Sequence, residues 1–301
     1  MRRRPISRRQ FIAKTAAVAG GLFASPLFAA VTPKRTAVDQ VTLGKTGLKL
    51  SRLGIGCGSN GGRVQRELGQ DGFTRLIRYA YDQGITYIDT AQSYRTHEMV
   101  REAVKGLPRE KLFIQTKMSG VPEKPLEVLD RFRKELGTDY IDSLLTHCTV
   151  TPKWDDERRR VLDAMEEARD KKIIGAHGVS CHSLPALKRS VEIGWTQVHL
   201  VRLNPQGVWV DTPAEKWNAE SNASHVPPVM EQMKLMRAKG HGVIGMKLIG
   251  NGDFTDPADR EKAIRFVMQS NLTDAVVIGF KSPAEIDEAI MRINNALAAT
   301  V

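Results

Sequence analysis

Four polar residues that could perform acid–base chemistry together stand at or just beyond the ends of short apolar runs. Asp89 ends one run and Tyr94 follows five residues later, while Lys117 and His147 end the next two runs. A free phenol is a poor acid at neutral pH because its pKa is about 10. A buried ammonium beside it would lower that pKa, and a carboxylate could hold the ammonium in place. We therefore predict a proton-transfer site if the fold brings these side chains together.

The elements that would position these residues alternate between short strands and longer amphipathic helices. Each predicted strand is a continuous apolar run, as expected for a strand that is buried on both faces. Eight strand–helix units predict an α/β fold, the (β/α)8 TIM barrel, in which the C-terminal strand ends converge on one open mouth. A β-hairpin formed by residues 41–44 and 48–50 precedes the first barrel strand. The predicted barrel strands are residues 53–57, 87–90, 113–117, 143–147, 174–180, 198–203, 243–246 and 276–279.

Two further segments carry predictions of their own. Ser282 and Glu285 form a capping-box pair, with Pro283 at the first position of the last helix. Residues 205–227 form a long segment after the sixth strand. A loop at that rim of a barrel often shapes a substrate pocket, and a variable surface excursion explains the segment equally well.

The sequence around the four polar residues resembles the aldo-keto reductase family. The similarity covers residues 41–298, and the family's catalytic tetrad falls on Asp89, Tyr94, Lys117 and His147. The resemblance implies an NAD(P)-dependent oxidoreductase that reduces an aldehyde or ketone to an alcohol, or runs the reverse reaction. In that chemistry Tyr94 is the general acid or base, and His147 donates a hydrogen bond to the carbonyl oxygen. The matching stretches read GIGCG, YIDTAQSY, FIQTKM, LLTHC, GVS and GMKLIGNG.

The resemblance also assigns residues to the nicotinamide end of the cofactor, where this sequence departs from the family pattern. Ser180 and Cys181 stand in place of the Ser-Asn pair that holds the carboxamide. Leu200 stands near the position of a glutamine that packs under the ring. Met246, followed by Lys247, replaces an aromatic residue that stacks on the ring. Because the Met-Lys pair occurs in a subset of the family, we interpret it as a subfamily feature.

At the other end of the cofactor, the last helix begins with residues that suit phosphate groups. Lys281 and Ser282, together with Lys247, could hold phosphates at a helix N-terminus. Glu285 stands where an arginine often holds the adenosine 2′-phosphate. A carboxylate repels that phosphate and tolerates a ribose diol, so the sequence leaves both NADP and NAD open.

The first 30 residues have the three parts of an export signal. Residues 2–9 are cationic, residues 16–30 are apolar, and the composition changes at residues 31–33. The apolar run is too short for a permanent membrane span, which needs about 20 residues. Residues 7–14, SRRQFIAK, resemble the twin-arginine (Tat) leader pattern S-R-R-x-F-L-x-K. This predicts a signal peptide over residues 1–30, a barrel domain over residues 31–301 and periplasmic localisation through the Tat translocation machinery. The alternative is a basic arm on a cytoplasmic protein.

Charge and cysteine content exclude some classes of partner. Six of the eleven surplus positive charges lie in the first 30 residues, so the remaining surplus does not call for a nucleic acid. The three cysteines, Cys57, Cys148 and Cys181, predict no disulfide framework and match no zinc spacing. With histidines beside them at one mouth they could bind a soft metal, and three small buried thiols are the simpler explanation. We assign no metal ligand from the sequence.

Two other functions remain open at this stage. An exported barrel that binds a ligand or partner without redox turnover is favoured by the departures at Cys181, Leu200, Met246 and Glu285, and opposed by the intact tetrad. A lyase-like enzyme would use the tetrad for proton transfer without hydride transfer.

Overall fold

A computed structural model describes residues 35–299 of the chain. The predicted leader, residues 1–30, lies outside the described residues. Within them, a short antiparallel hairpin comes first, formed by β1 (Gln40–Thr42) and β2 (Lys49–Ser51). The predicted hairpin is therefore confirmed.

Eight parallel strands after the hairpin close into a ring. The ring follows chain order, and the last strand pairs with both the first and the seventh. The predicted TIM barrel is confirmed, with strand bounds within a few residues of those expected. The strands are β3 (Leu53–Gly56), β4 (Tyr87–Asp89), β5 (Phe113–Ser119), β6 (Ile141–Thr149), β7 (Ile174–Cys181), β8 (Val198–Arg202), β9 (Gly242–Met246) and β10 (Ala275–Ile278).

Amphipathic helices surround the ring and bury one face each against it. In the helix that follows β5, Leu129, Phe132 and Leu136 are buried at helical spacing. None of the described helices is long and apolar enough to cross a membrane. The helices are α1 (Arg63–Glu67), α2 (Gly69–Asp82), α3 (His97–Val104), α4 (Pro125–Leu136), α5 (Trp154–Glu157), α6 (Arg159–Asp170), α7 (Leu184–Glu192), α8 (Val226–Lys239), α9 (Pro257–Ser270) and α10 (Pro283–Ala298).

Apolar side chains fill the barrel at the end that the hairpin covers. Leu43 and Leu50 from the hairpin pack with Tyr87 and Phe113 from the barrel interior. The two aromatic rings meet edge to face with their centroids 5.3 Å apart. The hairpin thus closes the N-terminal end of the barrel, and a ligand site must use the C-terminal strand ends, which we call the mouth.

Strand β6 contains an irregularity at the mouth. Its pairing with β7 runs regularly to His147, opposite Ser180, and then shifts so that Thr149 lies opposite Cys181. The residue in between, Cys148, has a φ of +56°, which is uncommon for a residue of this type. An extra residue of this kind redirects side chains, because neighbours in a regular strand point to opposite faces.

The long segment after β8 is attached to the barrel rim in its first half. Asp211 forms an ion pair with Arg202, the last residue of β8. The Trp209 indole N–H donates to the Asp253 carboxylate of a neighbouring mouth loop at 2.9 Å. Further along, Trp217 is 57% exposed. The segment therefore lies at the predicted rim, and its part in substrate binding stays a prediction.

Candidate active site

The predicted tetrad comes together at the mouth. Asp89 is the last residue of β4, and Lys117 lies opposite Leu145 in the pairing of β5 with β6. The Lys117 ammonium donates to both Asp89 carboxylate oxygens, at 2.7 and 2.8 Å, and to the Thr90 carbonyl at 2.8 Å. Lys117 is 0% exposed and Asp89 is 5% exposed. Both groups can stay ionised away from water only because hydrogen-bonded partners neutralise each charge.

Tyr94 lies against this ion pair. It ends a single 3-10 turn, Gln92–Tyr94, which follows β4. The Lys117 ammonium is 4.9 Å from the centroid of the Tyr94 ring. Gly58 leaves room for that ring, because a Cβ atom at this position would come within 2.5 Å of it. The turn after β4 and strand β5 thus place a phenol and an ammonium side by side.

The prediction that the Lys117 ammonium lowers the pKa of Tyr94 is wrong. Burial raises the pKa of Tyr94 well above its usual value, and the Asp89 carboxylate raises it further. The physical reason is that burial and the Asp89 carboxylate together disfavour the phenolate by more than the Lys117 ammonium, which is already paired with Asp89, can stabilise it. Tyr94 is consequently a protonated phenol at neutral pH, ready to donate rather than to accept.

His147 completes the group from the next strand. Its ring meets the Tyr94 ring edge to face, with centroids 5.5 Å apart. The hydroxyls of Ser93 and Ser119 lie 3.3 and 3.4 Å from His147 Nδ1. Burial lowers the pKa of His147 well below its usual value, and the Lys117 charge lowers it further. His147 is therefore a neutral imidazole, and a serine hydroxyl bound to Nδ1 leaves the other nitrogen for a ligand.

The structure separates the two residues predicted to hold the nicotinamide carboxamide. The Ser180 hydroxyl is buried and lies 3.4 Å from Nε2 of His182, at the mouth. The Cys181 thiol instead accepts a hydrogen bond from the Thr149 hydroxyl at 3.3 Å and contacts Ser190 of α7. Because successive strand residues point to opposite faces, Cys181 is directed between barrel and helices rather than toward the mouth.

Positive charge is concentrated around Lys247, directly after β9. The Lys247 ammonium donates to the Asn251 side chain at 2.6 Å. Burial, followed by the charges of Arg202 and Lys117, lowers the pKa of Lys247 to about 8. The preceding residue, Met246, is buried in the barrel interior. Of these three cations, Arg202 and Lys117 are paired with carboxylates, which leaves Lys247 to attract an anionic ligand.

The other predicted phosphate residues lie at the start of α10. Ser282 caps this helix by accepting from the Glu285 N–H at 3.4 Å, and Pro283 is its first residue. The Glu285 carboxylate accepts from the Lys281 N–H at 2.7 Å, while the exposed Lys281 ammonium lies 3.9 Å away from it. Ser282 is thus the predicted N-cap, but the reciprocal half of the capping box is not formed, because Glu285 accepts from Lys281 instead of from Ser282.

Three features of the mouth were not predicted from the sequence. Arg202 and Asp211 form an ion pair in which the arginine side chain is 3% exposed and the aspartate side chain 0% exposed. The charge of Arg202 inside an apolar run could have indicated a buried partner. The serine partners of His147 gave no sequence signal. Asn251 also donates to Asn60 at 2.8 Å, which joins the loop after β9 to the loop after β3.

Comparison with known proteins agrees with this geometry. Residues 52–262, well over half of the chain, match the aldo/keto reductase family profile. A probable aldo-keto reductase from Glycine max is 29% identical over 53% of this chain and 52% of its own length. The methylglyoxal reductase of Escherichia coli is 30% identical over 70% of this chain and 75% of its own length. The chain spans about half the length of most curated relatives that it matches.

Solved structures share the fold. The holo form of an aldo-keto reductase from Bacillus halodurans superposes with a TM-score of 0.66 at 18% identity, over 89% of this chain and 97% of that one. An aldo-keto reductase from Bombyx mori in complex with NADP gives a TM-score of 0.63 at 18% identity, over 86% of this chain and 91% of that one. On the family match, the chain belongs to the aldo/keto reductase family.

Proposed function

We propose that the protein is an oxidoreductase that reduces an aldehyde or ketone to an alcohol with NADPH or NADH, or catalyses the reverse oxidation. The observation that carries the proposal is the buried Lys117–Asp89 pair beside the ring of Tyr94, with His147 against the same ring. A buried ion pair adds little stability compared with apolar side chains of the same volume. Its position next to a phenol and an imidazole therefore indicates a catalytic purpose.

The charges of the mouth fit a nicotinamide dinucleotide. Burial lowers the pKa of Lys247, and the charges of Arg202 and Lys117 lower it further, so a pyrophosphate at this point would stabilise the charged lysine. Ser180 offers a buried hydroxyl at the mouth for the carboxamide. At α10, the Glu285 carboxylate disfavours a 2′-phosphate. These residues suit either nucleotide, with Glu285 as the feature that favours NAD.

The side chains divide the proposed reduction between them. A nicotinamide, when bound, would supply the hydride. Tyr94 is placed to give its phenolic proton to the carbonyl oxygen. The neutral His147 donates an N–H to the same oxygen and orients it. Lys117, held by Asp89, places its ammonium beside the phenolate that forms and stabilises it when it appears. In the reverse direction Tyr94 must first lose its proton.

This assignment predicts different pH profiles for the two directions. The raised pKa of Tyr94 keeps the acid protonated, and the lowered pKa of His147 keeps the imidazole neutral. The kcat of carbonyl reduction should therefore be flat between about pH 6.5 and pH 10, the ordinary pKa values of imidazole and phenol. The kcat of alcohol oxidation should rise across the same range. A reduction rate that falls with an inflection between these values would contradict the assignment of Tyr94 as the acid.

Turnover of a carbonyl panel tests the proposal directly. Methylglyoxal is the first substrate to assay, because the name of the Escherichia coli relative gives it as that protein's substrate. We expect carbonyl-dependent oxidation of NADPH or NADH that is lost in Tyr94→Phe. Saturable nucleotide binding without turnover of any short aldehyde or ketone would favour the ligand-binding barrel instead.

We propose further that the protein is exported to the periplasm with its cofactor already bound. The support is the Ser7–Lys14 stretch, SRRQFIAK, with its adjacent Arg8 and Arg9, followed by the apolar run. A twin-arginine leader carries folded proteins, so a barrel that folds first can acquire its nucleotide first. Because the periplasm has no maintained nicotinamide pool, a second substrate would have to reset the cofactor in place, which predicts ping-pong kinetics.

Analysis of the exported fraction tests this proposal. We expect protein purified from the periplasm to release close to one equivalent of NAD(P) on denaturation. The Arg8→Lys/Arg9→Lys variant should remain in the cytoplasm and carry the same nucleotide. Periplasmic protein that holds no nucleotide, and binds none after dialysis, would contradict loading before export. Equal export of the variant would contradict the twin-arginine route.

A further inference from the structure

Three side chains able to bind a metal lie together at the mouth. His147, Cys148 and His182 each offer one ligand atom, and these atoms lie within 4.8 Å of one another. Two imidazoles and one thiolate form a ligand set that binds zinc in preference to harder cations such as magnesium. We propose that these residues form a binding site for a divalent cation of the zinc class. On binding, the Cys148 thiol releases its proton to solvent and coordinates as the thiolate.

The spacing of the three residues suits such an ion after a small contraction. Zinc bonds of about 2.0–2.1 Å to nitrogen and 2.3 Å to sulfur place tetrahedral ligand atoms about 3.3–3.8 Å apart. Cys148 Sγ and His182 Nε2 are already 3.9 Å apart. The widest separation in the group must shorten by about 1 Å, which side-chain rotation can provide. Three protein ligands leave the fourth position for water.

The irregularity in β6 is what brings the thiol to this group. In a regular strand Cys148 would point away from the face that His147 occupies. The shift in pairing after His147 and the φ of +56° at Cys148 instead allow both neighbours to approach His182. A left-handed conformation is unfavourable for a cysteine, so its presence beside two imidazoles indicates a use for the thiol.

The remaining nitrogens of the two imidazoles support the same site. The hydroxyls of Ser93 and Ser119 lie 3.3 and 3.4 Å from Nδ1 of His147 and can accept its N–H, which would leave the other nitrogen for an ion. His182 is 8% exposed, and its Nδ1 has no hydrogen-bond partner among the described residues. Its Nε2 makes only long contacts, 3.4 Å from the Ser180 hydroxyl. An ion bound at Nε2 would give this nitrogen a close partner in place of its long contacts, and Nδ1 would stay free to donate to water.

The other two cysteines lie apart from the group and provide controls. Cys57 and Cys181 are buried, and neither belongs to the cluster of ligand atoms. Cys181 immediately precedes His182 yet bonds with Thr149 on the other face of the strand. Replacing Cys181 therefore removes a thiol from the same strand end without removing a ligand.

A bound cation would also affect the proposed reaction. It would bind the imidazole of His147, which the proposed reaction uses to orient the carbonyl oxygen, so carbonyl reduction should be inhibited. This consequence rests on the proposed function, whereas ion binding itself does not.

Cobalt(II) absorption tests the site on the whole protein without any substrate. We expect wild-type protein to bind one Co²⁺ with tetrahedral d–d bands and a thiolate-to-cobalt charge-transfer band, and Zn²⁺ to displace it. Glycine suits the positive φ at this position, so Cys148→Gly should keep the wild-type Tm. It should lose the charge-transfer band, and its affinity for Zn²⁺ should fall more than about 100-fold. Loss of a residue that only hydrogen-bonds to a metal ligand usually lowers the affinity less than this. His182→Gln should weaken Zn²⁺ similarly, and Cys181→Ser should behave as wild type.

Two results would overturn the site. One is the absence of a charge-transfer band in wild-type protein at one equivalent of Co²⁺. The other is a band that survives Cys148→Gly or disappears in Cys181→Ser. The kinetic arm is separate: Zn²⁺ should inhibit wild-type turnover and spare Cys148→Gly. If the carbonyl reaction itself is absent, the spectra still decide whether the ion binds.

Discussion

Tyr94→Phe should lower kcat for carbonyl reduction about 10²–10⁴-fold, the usual contribution of a positioned general acid. Phenylalanine keeps the ring that contacts His147 and lies 4.9 Å from the Lys117 ammonium, and it removes only the proton donor. Nucleotide affinity and Tm should therefore stay close to wild type. Stopped-flow measurement of a single turnover separates the chemical step from product release.

A second tyrosine supplies the matched control for this substitution. The Tyr79 hydroxyl donates to the Asp287 carboxylate at 2.7 Å on the outer surface of the barrel. Tyr79→Phe should leave kcat within about twofold of wild type, since surface changes away from the site rarely matter. If Tyr94→Phe retained the same kcat as Tyr79→Phe, Tyr94 would not be the proton donor.

Lys117→Met should destabilise the fold by about 3–5 kcal/mol, which is the usual effect of removing one partner from a buried ion pair. Methionine has a similar length, but the Asp89 carboxylate would then be left buried. Of its partners, the Gln115 amide, 2.8 Å away, would remain. The free energy of unfolding from urea titration measures this loss. Lys124→Met is the control, because the Lys124–Glu127 pair is exposed and water screens it, so the free energy of unfolding should stay close to wild type.

A double substitution separates the charge effect from the shape effect. Lys117→Met combined with Asp89→Leu removes both charges, so the free energy of unfolding should recover by at least about 2 kcal/mol. Activity should not recover, because the ammonium beside Tyr94 is still missing. A double variant as unstable as Lys117→Met alone would show that packing, and not the uncompensated carboxylate, determines the loss.

The barrel and the meeting of the tetrad follow from patterns that are visible in the sequence. Continuous apolar runs identify buried parallel strands, and Asp89, Lys117 and His147 end or nearly end three successive ones. The topology then brings them to one mouth regardless of side-chain detail. The positions of these residues were therefore predictable, while their roles stay predictions until the variants are assayed.

Features that depend on a balance between neighbours were not predictable in this way. The pKa of Tyr94 depends on whether burial or the Lys117 charge dominates, and the direction was wrong because burial and the Asp89 carboxylate outweigh that charge. The left-handed Cys148 has no sequence signature, since no glycine or asparagine marks it. The outward direction of Cys181 was within reach, because strand alternation alone separates it from Ser180.

Closure of the ring has a consequence for when this protein can mature. Strand β10 pairs with β3, joining Val276 to Leu53, so the two edges of the sheet are separated by most of the chain. Until the ribosome has released residue 278, the growing sheet has two unpaired edges that can aggregate. Contacts between residues that are so far apart in the sequence also form slowly. Assembly of the mouth must therefore wait until β10 has emerged from the ribosome, and an export route that carries folded proteins would suit this topology.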